Sequence, residues 1–207
     1  MLDIDSFILI GGKSTRLGVD KAFVEMGGET LVERAAATVR HALPGARVTA
    51  VAGSESQFAI NAITSRIPFV FDLYPERGPL GGLHAGLAHA QSSWIFVLAC
   101  DFPFVSAELI ELLAGRMSDP VGAVVPMQGD GRLQPLCGLY RVEAALPLVA
   151  EILERPRVTP PLHEVVAGLD PHIVQYDEYA SLENAENLFI NINTPGDLER
   201  IRSRGKL

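Results

Sequence analysis

A chain of 207 residues, 48% hydrophobic and 20% charged, is long enough for one well-cored domain and too apolar to be disordered as a whole. No apolar run approaches the ~20 residues of a membrane-spanning helix, and a formal net charge of −8 argues against a broad nucleic-acid-binding face. The opening residues Met1 to Asp5 carry acids and no basic leader, so the expectation is a cytoplasmic, single-domain protein spanning 1–207, with neither nucleic acid nor membrane among its partners.

The first informative stretch runs from Phe7 to Lys21. An apolar run fit for a buried strand, Phe7-Ile8-Leu9-Ile10, breaks into Gly11-Gly12 and then a loop bearing Lys13, Arg16 and Lys21. Main-chain N–H groups and fixed cations converging at a strand end are the chemistry of a polyphosphate site. A P-loop is excluded, because Phe7 stands where the first glycine of that motif is required. Gly11, Gly12 and Gly18 also miss the spacing of a dinucleotide fingerprint.

Thr30 is placed to cap a helix from about Leu31 to Leu43, with Leu31, Ala35, Val39 and Leu43 on one stripe and Pro44-Gly45 ending it. Val48 to Ala52 and Ile67 to Phe71 read as strands, with a weak helix around Ser56 to Ile63 between them. Strand alternating with helix predicts an α/β fold, a Rossmann-like three-layer sandwich with a mainly parallel central sheet. Ligands in such sheets gather at the carboxyl ends of strands, here after Ile10, Ala52, Phe71 and Ala99.

Asp72 to Gly82 reads as a shaped loop, rich in proline and glycine, before a small-residue helix through His84 and Ala88. Trp94 to Ala99 has the near-continuous apolarity of a central strand buried on both faces. It ends in Cys100-Asp101-Phe102-Pro103, and an acid there suits Mg²⁺, which takes few carboxylates and keeps waters and substrate phosphates. Ser106, not Asp101, fits the cap of the following helix. Cys100 and Cys137 read as reduced core thiols.

Val121 to Pro126 and Leu136 to Tyr140 predict two more strands, and Val142 to Leu153 a helix packed on the sheet. Arg155, Arg157 and His163 form a cationic patch that is either a solvated face or, through Arg157, a contact for an anionic acceptor. Leu188 to Pro195 alternates apolar and polar residues as a strand does, putting Asn191 and Asn193 on one face, before a final helix through Leu198 and Ile201. Paired asparagines there either orient a heterocycle or satisfy backbone.

These motifs together resemble the molybdenum cofactor guanylyltransferase family. Its opening signature is matched by Leu9, Gly11, Gly12, Ser14, Arg16, Gly18, Asp20 and Lys21, with Ile10 where alanine is usual, which puts bulk near the expected base pocket. Gly78-Pro79-Leu80-x-Gly82, the Cys-Asp-x-Pro segment, Gln134 to Tyr140 and Asn-x-Asn-Thr-Pro match further along the chain. The resemblance implies nucleotide binding by Leu9, Ile10, Gly11, Gly12, Lys21, Asp72, Pro79, Leu80, Gly82 and Asp101, and Mg²⁺ on Asp101. Arg16, Lys21 and Asp101 would be the catalytic set, and Asn191 and Asn193, with Arg157, would face the acceptor. The implied reaction moves GMP from GTP to the phosphate of molybdopterin, with cofactor-handling proteins as partners. The rivals are a cytidylyltransferase or sugar-phosphate nucleotidyltransferase of the same fold, and a non-catalytic nucleotide-binding regulator.

Overall fold

A computed structural model of the protein describes residues 3–10, 21–53, 67–155, 159–192 and 197. In chain order these form β1 (Ile4–Leu9), β2 (Glu25–Met26), β3 (Glu29–Thr30), α1 (Leu31–Ala42), β4 (Arg47–Ala52) and β5 (Phe69–Phe71). There follow α2 (Pro79–His89), β6 (Trp94–Ala99), α3 (Ala107–Ala114), β7 (Ala123–Pro126), β8 (Cys137–Arg141), α4 (Val142–Glu154), α5 (Leu162–Ala167), β9 (His172–Val174) and α6 (Tyr176–Tyr179). The weak helix expected near Ser56 and the final helix through Leu198 and Ile201 lie outside the described residues.

Among the described residues, seven strands make one sheet in the order β5-β4-β1-β6-β8-β7-β9. All pair in parallel except β8, which runs antiparallel to both β6 and β7. The chain builds outward from β1 through β4 to β5, then returns to lay β6 on the other side of β1. The winding therefore reverses between β1 and β6, the crevice where sheets of this type bind ligands.

Side chains along the central strands alternate between two cores, as a period of two requires. Ile4 and Ile8 of β1 face the layer of α1 and α3, while Phe7 and Leu9 face α2 and α4. Trp94, Phe96 and Leu98 of β6 go to the first layer, Ile95 and Val97 to the second. The α1 cap forms as the sequence predicts, and as a full capping box. Thr30 Oγ1 accepts from the Glu33 N–H, and the Glu33 carboxylate accepts from the Thr30 N–H. Ser106 likewise caps α3.

Two expectations are corrected. The run Asp72 to Gly82 is not loop throughout, since α2 begins at Pro79 and takes Leu80, Gly81 and Gly82 into its first turn. Proline at the first helical position loses no internal bond, which makes Pro79 a start rather than a break. Residues 188–192 form no strand; they follow a short 3-10 turn, Ala185–Asn187. Their alternation reflects docking instead. Leu188, Phe189 and Ile192 are buried, and Phe189 meets Phe102 and Tyr179 edge to face.

Candidate active site

Leu9 pairs with Ala99 at the carboxyl ends of β1 and β6, and the Cys100 N–H continues the ladder by donating to the Leu9 carbonyl at 3.1 Å. This brings Asp101 to the exit of β1. Lys21, in a short 3-10 turn that buries Ala22 completely, extends Nζ to Asp101 Oδ2 at 2.6 Å, across 80 residues of sequence. The two side chains are only 15% and 22% exposed, so this ion pair is largely screened from water. Within a dry pair the loss of one partner is expensive, because it leaves the other charge uncompensated.

The tail is fastened to the same point. The Ile192 N–H donates to the Asp101 carbonyl at 3.2 Å, and Ile192 shares a small core with Val24, Met26 and Leu31 beside the Lys21 turn. Asn191 is thereby carried to a cavity of about 460 Å³, whose walls include Pro79, Leu80, Phe102, Gln134 and Pro135. The lining is mostly apolar, with a few polar groups set into it, which suits a flat hydrogen-bonding ring. Gln134 is held by its amide, whose Nε2 donates to Gln128 Oε1 at 2.5 Å. A larger groove of about 680 Å³, lined by Trp94, Arg141 and Glu143, sits at the opposite ends of the strands and contains none of the candidate site residues.

The sequence-predicted residues divide into three groups. Lys21 and Asp101 touch, and Pro79, Leu80 and Asn191 share the cavity next to Phe102. Leu9, Ile10, Gly82 and Asp72 have structural surroundings. Ile10 is only 4% exposed and lies in the core with Ala22, Ala36 and Ala52. Gly82 is buried on Leu9, with space so short that a Cβ would come within 3.2 Å of a Leu9 methyl carbon. Gly11, Gly12, Arg16, Arg157 and Asn193, with Lys13, Ser14, Gly18 and Asp20, lie outside the described residues.

Asp72 follows β5 and accepts the Tyr74 N–H at 2.7 Å through Oδ1. Its carboxylate lies against the first turn of α2, where a Cβ on Gly81 would come within 2.6 Å of either oxygen. Burial pushes the Asp72 carboxyl above the ordinary carboxylate range, and the Tyr74 hydrogen bond only partly opposes this. The sequence reading missed Gly81, Arg77, Phe102 and Gln134. A glycine pair inside a helix was the available signal for Gly81, because glycine weakens a helix unless a neighbour needs the room.

Among the described residues, no three His, Cys, Asp or Glu side chains cluster as a metal cage. One carboxylate, already holding a cation at 2.6 Å, is what Mg²⁺ needs if phosphate oxygens and waters complete its shell. The residues therefore fit that ion only with a phosphorylated substrate present. Both cysteines are buried and outside any disulfide, and burial drives the Cys137 thiol far up, which does not suit it to nucleophilic work.

Comparisons with known proteins bear on the family. Residues 6–167 match the model of the MobA-like NTP transferase domain. The chain is 34% identical to a probable molybdenum cofactor guanylyltransferase of Natronomonas pharaonis, over 95% of this chain and 96% of the relative. It is 32% identical to one from Pelotomaculum thermopropionicum, over 98% and 93%. In fold it is similar to molybdopterin-guanine dinucleotide biosynthesis protein A from Archaeoglobus fulgidus, with a TM-score of 0.78 and 24% identity over 98% of this chain and 100% of that one. With the family model covering most of the sheet and both strands that meet at Lys21 and Asp101, the chain belongs to the MobA-like NTP transferases.

Proposed function

We propose that this chain, acting as a single nucleotidyltransferase domain in the cytoplasm, transfers GMP from GTP to the terminal phosphate of molybdopterin. An acceptor phosphate oxygen attacks the α-phosphorus, the new P–O bond forms as the bond to the β-phosphate oxygen breaks, and pyrophosphate leaves. The observation that carries this reading is the Lys21–Asp101 contact at the winding reversal, next to a cavity sized for a heterocycle. The names of the relatives, matched over nearly their full length, supply the acceptor.

The residues would divide the work as follows. Lys21 offsets phosphate charge, and Arg16 with the Gly11-Gly12 main chain adds donors from the loop after β1. Asp101 holds Mg²⁺, which when bound supplies charge neutralisation to the phosphates. Asn191, with Asn193 and Arg157, faces the acceptor. The acceptor phosphate is already anionic, so the step needs positioning and charge compensation and no protein nucleophile. Proteins that hand over the oxygen-sensitive pterin would be the natural partners. Mass spectrometry of a mixture of protein, GTP, Mg²⁺ and molybdopterin should show the guanine dinucleotide and pyrophosphate. A dinucleotide formed equally well from CTP, or none from any nucleotide, would overturn the reading.

A further inference from the structure

Asp101 is placed by the ladder of the main sheet, through the turn directly after β6, but Lys21 belongs to no strand of that sheet. Its turn is anchored at two points. Ala22 is fully buried in the core that faces α1, and the Val24 N–H donates to the Lys21 carbonyl at 3.2 Å. The Val24 carbonyl in turn accepts from the Leu31 N–H at 3.0 Å, where α1 begins.

Val24, Met26 and Leu31 close on Ile192 in a small core separate from the two that face the sheet. Ile192 is fully buried in it, and Phe104, three residues past Asp101, packs against the same cluster. The segment after Lys21 and the segment after Asp101 thus meet at one plug. That plug touches both halves of the ion pair: its side chain lies with Val24, and its N–H donates to the Asp101 carbonyl at 3.2 Å.

Resting on the nucleotide reading of this site, we propose that Ile192 is a positioning residue for GTP, holding the Lys21 turn against Asp101 so that the ammonium stands where the phosphates arrive. The tolerance is small. A shift of about 1 Å would lengthen the 2.6 Å Lys21–Asp101 contact beyond hydrogen-bond range, and a close-packed cluster does not refill the space of a deleted side chain without moving.

Ile192→Ala keeps the N–H on Asp101 and removes only the plug, so its effect passes through the Lys21 turn. Calorimetry with Mg²⁺ should show GTP bound about fivefold more weakly, with Ile192→Val within about twofold of the wild type. Val24→Ala, a smaller deletion from the facing wall, should weaken GTP about threefold and carries the test if Ile192→Ala does not fold. Ile4→Ala makes the same truncation at the opposite end of β1; it should lower the melting temperature and leave GTP affinity within about twofold. In a Lys21→Ala background, Ile192→Ala should cost no further affinity, because two changes that act through one contact do not add. Wild-type affinity in Val24→Ala and in a folded Ile192→Ala, an equal loss in Ile4→Ala, or a further fivefold loss on top of Lys21→Ala would overturn the role of Ile192. Absence of GTP binding by the wild type would instead overturn the functional reading.

Discussion

Lys21 and Asp101 are each ordinary in isolation, and their meaning comes from the 2.6 Å between them. Asp101 was legible in the sequence because an acid directly after an apolar six-residue strand stands at a sheet end whatever the details of the fold. Lys21 was legible only through the glycine-rich motif before it. Arg77 was not legible, since its partners are mainly main-chain carbonyls, which every residue possesses and no sequence pattern marks. Side chains alternate along a strand, and the parity of Ile10 with Ile8 and Ile4 sends it into the core. The pair also implies a competition, because Lys21 occupies the carboxylate that a metal would use. Lys21→Ala should weaken GTP binding about tenfold by calorimetry, yet tighten Mn²⁺ binding in the absence of nucleotide. Unchanged affinity for both would separate the lysine from the site.

Elements with regular periodicity were read correctly, including α1 with its cap, β6, and α4 packed on the sheet. Elements set by tertiary contact were not. The β2–β3 hairpin turns on Gly27 and Gly28, both at positive φ, in strands too short to show alternation. The tail mimicked a strand because its apolar residues fill a pocket beside Phe102 and not because they pair. The start of α2 was read as loop because glycines and proline usually mark turns; here Gly82 and Gly86 let the helix approach Leu9 and Phe7 closely. Gly81 gives a test at this scale. Helix propensity alone favours alanine by about 1 kcal/mol, but a Cβ there would sit 2.5 Å from the Tyr74 carbonyl oxygen and 2.6 Å from the Asp72 carboxylate. The clash should win, and Gly81→Ala should lose about 1–3 kcal/mol in urea unfolding. A stabilised variant would show that the Asp72 turn yields freely.

Across the whole molecule, the sheet has a chemical end and a structural end. At the structural end Asp5, 2% exposed, ties three strands together by accepting from Arg47 on β4 and from the Gln91 and Ser92 N–H groups just before β6. Burial pushes its carboxyl up, but the Gln91 hydrogen bond, Arg47 and the Ser92 hydrogen bond outweigh it and hold the pKa below the ordinary value. A carboxyl depressed by folding contributes stability above its unfolded pKa of about 3.9 and loses it as pH falls through the folded value. Unfolding free energy should therefore drop below about pH 4 in the wild type. Asp5→Asn should be less stable near neutrality by about 2 kcal/mol, since half-exposed Arg47 recovers water, and should show a flatter acid limb. An acid limb identical in both proteins would remove Asp5 from the account.

The proposed chemistry rests on Asp101. Asp101→Asn keeps the size of the side chain and removes its charge, so single-turnover formation of the guanine dinucleotide from GTP and molybdopterin isolates what the carboxylate contributes. The rate should fall by about 10²–10³-fold at saturating substrates while the fold persists. A variant that forms dinucleotide at the wild-type rate with ordinary Mg²⁺ dependence would contradict the site drawn here.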